Sequence, residues 1–290
     1  MEKVFKKNIL ILTQWFDPEP AQKGLNFSKE IKKHNFEVEV LTGYPNYPGG
    51  KFYKNFKVRI FKREKVEGIV IKRVILYPSH DNKFFNRFLN YASFALSLTF
   101  FGLFRRKKPD IIYAYHPPLT VGLAAIILKK FFNVPLVYDI QDIWPDSLAA
   151  TGMMNSKQVL KIVSFLCNLV YKFSDKIVVL SPGFKSLLIK RKVPPGKIDV
   201  IYNWSNITDS KKSCSISIRK KGKFHIVFAG NIGKAQSIET IIDAAEILTN
   251  KSNDVEFIII GDGIELKNIK NKVIQKNLDN VTFLPRVPLD

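Results

Sequence analysis

Short apolar runs alternate with segments of helical periodicity along most of the chain. The first run, 8–13, is followed by a loop, by a helical pattern that reaches about residue 34, and by a second apolar run at 37–42. Apolar runs separated by helices are typical of strands buried in a parallel sheet. This strand–helix–strand order therefore predicts an α/β protein with doubly wound sheets.

The alternation continues to the last residues of the chain. The predicted strands are 8–13, 37–42, two within 57–77 joined at Glu67-Gly68, 110–115, 135–140, 175–180, 197–202, 224–229, 254–260 and 280–284. Helical patterns end near 34 and 132, or cover 156–173, 181–190, 237–249 and 264–276. A polar stretch rich in Ser and Lys, 205–223, predicts a linker between a first domain, 1–204, and a second, 224–290.

The run 88–104 contains no charged residue, and Arg87 and the basic stretch 105–108 flank it. Its length is near the lower limit of about 17–25 residues for a membrane span. Three interpretations remain open: a buried helix of the α/β core, a helix lying in a membrane interface, or a span. The span is the least favoured, because strands of one sheet are predicted on both sides of the run.

The chain has 290 residues and a net charge of +21, from 46 Lys and Arg against 25 Asp and Glu. A nucleic acid, an anionic membrane or an anionic substrate would explain this charge, and so would a lysine-rich composition. No nucleic-acid-reading motif accompanies it, so a nucleic-acid partner is not expected. Of the two cysteines, Cys167 lies in a helical pattern and Cys214 in the predicted linker, which indicates no disulfide framework and a reducing, cytoplasmic setting.

Candidate acid–base residues follow two predicted strands of the first domain. His116 precedes two prolines, and it is either a polar or acid–base group facing a substrate or a solvated loop histidine. Asp139, Asp142 and Asp146 surround the end of the next strand, where carboxylates could bind hydroxyl groups or take a proton. Asp142 and Asp146 would share a face if the segment were helical, whereas Pro145 predicts a helix start that makes Asp146 partly structural. No metal-ligand cluster is present in the sequence pattern.

The second domain begins with a candidate phosphate site over 224–236. An apolar strand, predicted to be buried, leads into a turn in which Gly230 and Gly233 leave backbone N–H groups open to a ligand. Lys234 follows beside a predicted helix N-terminus, which favours anions. Gly261 follows the next strand and could line the same cleft. The Walker pattern Gly-x-x-x-x-Gly-Lys-Ser/Thr is absent, which disfavours a P-loop NTPase.

Four segments together carry a resemblance to a known family. They are Thr42-Gly43-Tyr44-Pro45-Asn46-Tyr47-Pro48, Asp142-Ile143-Trp144-Pro145-Asp146-Ser147, Tyr202-Asn203-Trp204 and Phe228-Ala229-Gly230-Asn231-Ile232-Gly233-Lys234-Ala235-Gln236. In order and spacing the chain resembles family 4 glycosyltransferases of the GT-B fold, which has two Rossmann-like domains. It is most similar to the subgroup that builds bacterial capsule or O-antigen units, which includes N-acetyl-L-fucosamine transferases.

The resemblance implies an N-terminal acceptor domain, a C-terminal donor domain and an active site between them. It implies a nucleotide-sugar donor, usually a UDP-linked and here an N-acetylated sugar, transferred with retention at the anomeric carbon and with no cofactor and no obligatory metal. The implied acceptor is a lipid-diphosphate-linked sugar. The protein would then be peripheral on the inner face of the plasma membrane, docking on anionic lipid through 51–108.

The resemblance also gives the candidate site residues their roles. The candidate catalytic residues are His116 and Asp142. The candidate donor-binding residues are Gly230, Asn231, Gly233, Lys234 and Gly261. The candidate acceptor or cleft residues are Lys23, Gly24, Tyr44, Asn46, Asp146 and Asn203.

The sequence departs from the family at its C-terminal end. The family's Glu-x7-Glu motif and the Gly-Lys-Pro turn that follows it do not occur, so the second Rossmann-like domain is expected to be incomplete. The interpretations are a fragment, a truncated gene product, or the acceptor- or partner-binding half of a split enzyme that needs a complementing C-terminal half. An incomplete sheet would expose an edge and apolar faces.

Overall fold

The computed structural model describes residues 6–79, 84–152, 154, 156–204, 222–249, 251 and 254–287. The chain divides into two compact units. The first consists of residues 1–149 and 153–205, and the second of residues 150–152 and 206–290. Most of the predicted linker, 205–221, lies outside the described residues, and so does Cys214.

The first unit is built on a single eight-stranded sheet. Its strands are β1 (Asn8–Leu12), β2 (Glu37–Gly43), β3 (Phe61–Val66), β4 (Ile69–Val74), β5 (Ile111–His116), β6 (Leu136–Ile140), β7 (Lys176–Val179) and β8 (Ile198–Val200). The strand order is β3-β4-β2-β1-β5-β6-β7-β8. Every neighbouring pair is parallel except β3 and β4, which form the predicted hairpin around Glu67.

Helices lie on both faces of this sheet. They are α1 (Leu25–Lys33), α2 (Phe84–Leu103), α3 (Leu119–Phe132), α4 (Asp146–Ala150), α5 (Lys157–Phe173) and α6 (Pro182–Lys190). Alternate residues of β1 enter opposite cores, because side chains of a strand point to alternate faces. Ile9 and Ile11 pack with residues of α1, whereas Leu10 and Leu12 belong to the larger core formed with α2, α3 and α5.

The predicted helix 88–104 is α2, and it begins at Phe84. Phe94 and Leu98 are fully buried in the larger core, whereas Leu96 and Phe100 are exposed. The helix therefore packs on the sheet with one side and faces outward with an apolar side. Among the described helices, none combines the length and apolar character that crossing a membrane requires.

The second unit contains a three-stranded parallel sheet in the order β11-β10-β9. Its elements are β9 (Phe224–Ala229), α7 (Ile238–Thr249), β10 (Val255–Ile260), α8 (Leu266–Gln275) and β11 (Val281–Leu284). The core is made of Ile232, Ile238, Ile242, Ile259, Ile269 and Val273.

The burial predicted for β9 is wrong. Phe224 and Val227 are 69% and 57% exposed, and the strand lies at the edge of the three-stranded sheet. Within the described residues only β10 pairs with β9. The other edge of β9 has no neighbouring strand, so its side chains lack neighbours on that edge. β-branched residues favour a strand at this position, but they do not distinguish an edge strand from a central one.

Candidate functional site

The carboxyl ends of β1, β2, β5 and β6 meet at one edge of the first sheet. β1 is followed along the chain by β2 on one side and later by β5 on the other, so the strand order reverses between β1 and β5. In open α/β sheets, ligands bind at such a reversal, outside the carboxyl ends of the strands. Most of the first-domain candidates, from Lys23 to Asp142, lie in the loops that follow these strands or at the strand ends.

Lys23 and Asp139 form an ion pair inside this edge. Their side chains are 2% and 0% exposed, and Lys23 Nζ contacts Asp139 Oδ2. Tyr113 donates to the same carboxylate oxygen, and Gln141 donates to Oδ1 over 2.7 Å. Burial, together with the Asp139 charge, raises the pKa of Tyr113 well above its ordinary value, so the phenol keeps its proton. The carboxylate is thus satisfied by three donors.

This buried pair also anchors the segment that follows β8. Asn203 donates from Nδ2 to Gln141 Oε1 over 3.0 Å, and Gln22 donates to the Trp204 carbonyl over 2.6 Å. The Trp204 ring stacks on Phe27, with ring centroids 5.8 Å apart. Lys23, predicted as a cleft residue, is therefore a buried connector between three segments of the chain, and Asn203 is the exposed end of that network.

Glu19 is a structural residue of this edge that the sequence analysis did not single out. Its side chain is 3% exposed and accepts backbone N–H bonds from Phe16, Asn46 and Tyr47, at 3.2, 2.7 and 2.8 Å. Burial raises the pKa of Glu19, and these hydrogen bonds oppose part of that rise. The carboxylate thereby ties the loop after β1 to the loop after β2. Its position between two prolines gives no sequence signal of such a role.

The loop after β2 buries two of the predicted cleft residues. The Tyr44 side chain is fully buried, and its hydroxyl accepts the backbone N–H of Arg59 over 3.2 Å. Asn46 is 2% exposed and donates from Nδ2 to the Tyr44 carbonyl over 3.0 Å. In this structure both side chains shape the loop and do not line an open surface.

His116 lies at the end of β5 beneath a layer of aromatic side chains. Its ring centroid is 5.1 Å from that of Trp144 and 5.8 Å from that of Tyr138, both edge-on. The side chain is 2% exposed, and Nδ1 has no hydrogen-bond partner in the described part of the chain. Burial lowers the pKa of His116 to about 3, because the charged ring would lose its hydration. The imidazole is therefore neutral at physiological pH and can donate or accept a hydrogen bond. The alternative of a solvated loop histidine is wrong.

The two candidate aspartates after β6 have different surroundings. Asp142 is exposed on the loop, and partial desolvation raises the pKa of its carboxyl. Asp146 is the first residue of α4, and its Oδ2 accepts from Arg191 Nη2 over 2.7 Å. Arg191 also donates to the Trp144 carbonyl over 2.7 Å, so Asp146 helps to fix the turn that carries Trp144. Asp142 precedes α4, and the two carboxylates do not share a helical face.

Gly24 occupies a position where a side chain would not fit. It is the residue before α1, and a Cβ there would overlap the Asp17 carboxylate. That carboxylate accepts the Leu25 backbone N–H over 2.5 Å and so caps the helix. Gly24 therefore allows a capping contact at the start of α1.

In the second unit, two glycine-rich loops interlock at the carboxyl edge of the sheet. Gly261 has a φ of 144°, and a Cβ there would overlap the carbonyl oxygen of Gly230. The Gly230 N–H donates to the Ile260 carbonyl over 2.9 Å, and the Ile232 N–H donates to the Asp262 carbonyl over the same distance. The backbones of the predicted donor-binding loops are thus in direct contact.

The polar side chains of these loops are open to solvent. Asn231 and Lys234 are exposed, and Asn231 Nδ2 lies 3.4 Å from Gln236 Oε1. Lys234 begins a short 3-10 turn, Lys234–Gln236, and α7 follows at Ile238. The lysine is therefore one turn before the helix N-terminus that was predicted beside it. Gly233 is buried, and a Cβ there would lie 2.8 Å from Asn231 Nδ2.

A cleft of about 320 Å³ opens beside these loops within the second unit. Its lining combines apolar side chains, backbone and two cations: Gly261, Asp262, Leu266, Lys270, Phe283, Leu284, Pro285 and Arg286. Lys270 Nζ lies 5.5 Å from the centroid of the Phe283 ring. Among the described residues, no group of three or more His, Cys, Asp or Glu side chains could hold a metal ion.

The chain belongs to the glycosyl transferase 4-like family. Residues 25–204 match the glycosyl transferase 4-like domain, and residues 210–290 match glycosyl transferases group 1. The class of protein is therefore a glycosyltransferase enzyme, and its fold is GT-B.

The similar proteins are longer than this chain. WcaI of Escherichia coli (strain K12), named as a colanic acid biosynthesis glycosyl transferase, is 27% identical over an alignment of 291 positions, which covers 90% of this chain and 70% of WcaI. The glycosyltransferase WbjE of Pseudomonas aeruginosa is 22% identical over 64% of this chain, and the chain spans about half of WbjE, 48%.

Solved structures share the fold at low sequence identity. HepE of Anabaena, in complex with UDP-glucose, has a TM-score of 0.61 and 16% identity, covering 97% of this chain and 69% of HepE. Sucrose-phosphate synthase of Thermosynechococcus elongatus has a TM-score of 0.68 and 14% identity, covering 97% of this chain and 71% of the synthase. These similarities concern the arrangement of the elements.

Proposed function

We propose that this protein acts in the transfer of a sugar from a UDP-linked donor to a lipid-diphosphate-linked sugar in the synthesis of a bacterial surface polysaccharide. The observation that carries the proposal is the open carboxyl edge of the second sheet. There, backbone loops shaped by Gly230, Gly233 and Gly261 adjoin a cleft and leave Lys234 exposed. WcaI is named for colanic acid biosynthesis, and HepE was solved in complex with UDP-glucose.

The donor would bind through its diphosphate and its nucleoside. Lys234 suits a diphosphate, which needs cations when no metal neutralises it. The Gly230 and Ile232 N–H groups of the same turn are already bonded to carbonyls of the neighbouring loop. The cleft lined by Phe283, Leu284 and Arg286 suits a flat polar ring of a nucleoside. We expect neither a cofactor nor an obligatory metal.

Two residues of the first unit have side chains whose chemistry suits a sugar substrate. The neutral His116 ring can hydrogen-bond a sugar hydroxyl, and the Asp142 carboxylate can stabilise positive charge at the anomeric carbon. During transfer the bond from this carbon to the UDP oxygen breaks and a bond to the acceptor oxygen forms, with retention of configuration. The acceptor hydroxyl passes its proton to the departing diphosphate oxygen of UDP. Because the acceptor is lipid-linked, the protein would work at the cytoplasmic face of the plasma membrane.

The proposal is tested by titrating the 290-residue chain with UDP in a calorimeter. We expect binding that weakens at least about tenfold in Lys234→Ala, because one charge-assisted hydrogen bond is worth about 1.5–3 kcal/mol. Lys251→Ala is the matched control, because Lys251 is also exposed in the second unit but lies away from the glycine-rich loops. Transfer assays with UDP-sugars and a lipid-diphosphate-linked acceptor follow. Equal affinity of both variants, or no transfer by a chain that binds UDP, would contradict the proposal.

A second candidate is a binding half that needs another polypeptide. The chain spans 70% of the length of WcaI and 48% of that of WbjE. In this case a folded chain would fail to bind UDP alone, and addition of a polypeptide carrying the Glu-x7-Glu half would restore binding. UDP binding and transfer by the chain alone would exclude this candidate.

A further inference from the structure

The outward side of α2 carries an apolar stripe along its whole length. Its members recur every three, four or eight residues, and each is more than half exposed: Phe85, Phe88, Leu96 and Phe100, followed by Phe104 just beyond the helix. The opposite side of α2 is also apolar and is buried in the core, as Phe94 and Leu98 show. A surface helix of a globular domain normally presents polar residues outward, so this pattern needs another explanation.

The exposed apolar surface continues onto two neighbouring helices. A Cβ at Gly102 of α2 would lie 2.7 Å from Leu128 Cδ1 of α3, and a Cβ at Gly122 of α3 would lie 2.9 Å from Val170 Cγ1 of α5. The three helices are therefore tightly packed side by side in one layer. We call their exposed apolar residues the outer apolar face: Phe85, Phe88, Leu96, Phe100, Phe104, Ile127, Phe131, Ile162 and Phe165.

The charge around the outer apolar face is predominantly positive. The sequences of α2, α3 and α5 contain no Asp or Glu. The exposed cations on or beside these helices are Arg106, Lys107, Lys108, Lys130, Lys157, Lys161 and Lys172. Nearby carboxylates are neutralised by ion pairs, since Glu37 pairs with Lys107, Glu39 with Lys72 and Arg105, and Asp175 with Lys129.

The helix on the opposite face of the sheet shows the ordinary pattern. In α1, Glu30 pairs with Lys33, and Lys29 pairs with Glu67 of the β3–β4 turn. Leu25, Phe27 and Ile31 pack against the core of that side. The α2–α3–α5 layer therefore exposes apolar side chains, whereas α1, on the opposite face of the sheet, packs its own against the core.

We propose that the outer apolar face docks on an anionic lipid bilayer, with α2 lying in the plane of the membrane interface. Apolar aromatic side chains surrounded by Lys and Arg suit the boundary between acyl chains and anionic headgroups. A second copy of the chain would bring an equally cationic surface, so charge favours lipid over self-association. The inference deepens the proposed function by naming the surface that would bring the protein to a lipid-linked acceptor.

The proposed surface differs from the predicted docking segment, 51–108. It leaves out the β3–β4 hairpin, where Glu64 and Glu67 pair with lysines and an arginine. It adds α3 and α5, which lie outside that segment. The sequence alone could not group these helices, because their adjacency depends on the order of the strands in the sheet.

The test is co-sedimentation of the full chain with lipid vesicles, without any nucleotide sugar. One set contains phosphatidylcholine alone, and the other contains phosphatidylcholine with phosphatidylglycerol. We expect binding to the anionic vesicles at least about tenfold tighter than to the neutral ones, weakening as salt is added. The double variant Leu96→Ser/Phe100→Ser should bind anionic vesicles at least about tenfold more weakly, because two large apolar side chains no longer enter the interface.

A matched control removes exposed apolar side chains elsewhere. Ile247→Ser/Ile274→Ser changes residues that are 55% and 70% exposed on α7 and α8, and it should bind the vesicles like the wild type. Equal loss in both double variants, unchanged binding in the α2 variant, or no wild-type preference for anionic vesicles would overturn the proposal. So would a wild-type dimer that the α2 variant converts to a monomer.

The UDP titration separates this inference from the proposed function. Both positions changed in the α2 variant are exposed, so the variant should keep its circular dichroism spectrum and its UDP affinity while it loses vesicle binding. Vesicle binding without UDP binding would leave the docking surface standing and remove the donor proposal. UDP binding by a chain that does not prefer anionic vesicles would support the donor proposal and remove the docking surface.

Discussion

The carboxyl edges of the two sheets are built by different means. At the first edge, buried charged side chains fix the loops. Lys23 and Asp139 connect three segments, and Glu19 accepts hydrogen bonds from three backbone N–H groups. At the second edge, the loops are held backbone to backbone, where Gly261 contacts Gly230. Side-chain networks make the first edge rigid and desolvated, whereas glycine residues allow close backbone contact at the second edge and leave Lys234 exposed.

Desolvation at the first edge also shifts the pKa values of its titratable side chains. Burial lowers the pKa of His116, and desolvation raises the pKa of Glu19 and Asp142, so each group is shifted toward its neutral form. The cations of the second edge, Lys234 and Arg286, are exposed to solvent. A polyanionic ligand of the second unit would therefore meet exposed cations at the second edge.

The largest expected effect comes from breaking the buried ion pair. Lys23→Met leaves the Asp139 carboxylate buried without its cation, which should lower the free energy of unfolding by about 3–5 kcal/mol. Urea unfolding followed by tryptophan fluorescence measures this effect in the first unit, because Trp15, Trp144 and Trp204 all belong to it.

The matched control for this change is Lys29→Met. Lys29 pairs with Glu67 where both side chains are partly exposed, at 35% and 55%, so its loss should cost about 0.2–1 kcal/mol. A double variant, Lys23→Met/Asp139→Leu, should be more stable than Lys23→Met, because no unpaired charge remains. Equal destabilisation by Lys23→Met and Lys29→Met would refute the structural role of the pair.

The next effect concerns the glycine contact of the second edge. Gly261→Ala places a Cβ against the Gly230 carbonyl at a φ of 144°, and the strain should cost about 1–3 kcal/mol. Hydrogen exchange should increase in β9 and β10, and UDP affinity should fall. Gly230→Ala is the steric control, since the nearest atom to a Cβ there is Phe228 Cζ at 3.4 Å. Similar exchange rates in both variants would mean that the loops are not held by this contact.

Most of the fold could be predicted from the order of the apolar runs along the chain and from local turn and helix-capping residues. The β3–β4 hairpin lies where Glu67-Gly68 predicted it, and α6 begins at Pro182 with Ser181 accepting the Phe184 N–H, as the local sequence indicated. These features depend on residues close together in the chain, so local chemistry is sufficient.

The interior of the first edge could not be predicted in the same way. Lys23 was placed in an open cleft, but its partner Asp139 is 116 residues away, and its burial depends on which strands become neighbours. The same reason applies to β9, whose composition suits a central strand but whose position is an edge. Local sequence indicates the type of an element, and the tertiary arrangement decides which of its sides is covered.

The smallest expected effect is on His116, whose imidazole should not change its protonation state near neutral pH. Since burial lowers its pKa to about 3, the ring should stay neutral from pH 8 to pH 5, and its NMR signal should not shift over that range. Below the ordinary histidine pKa of about 6.5, the unfolded chain binds a proton that the folded ring does not, so stability should fall as pH falls from 6.5 toward 3. His116→Phe removes this linkage, so its unfolding free energy should decrease less between pH 7 and pH 4 than that of the wild type. The imidazole NMR signal that is missing from the spectrum of His116→Phe is that of His116. If this signal titrated with a midpoint between pH 6 and 7, the first edge would be open to water.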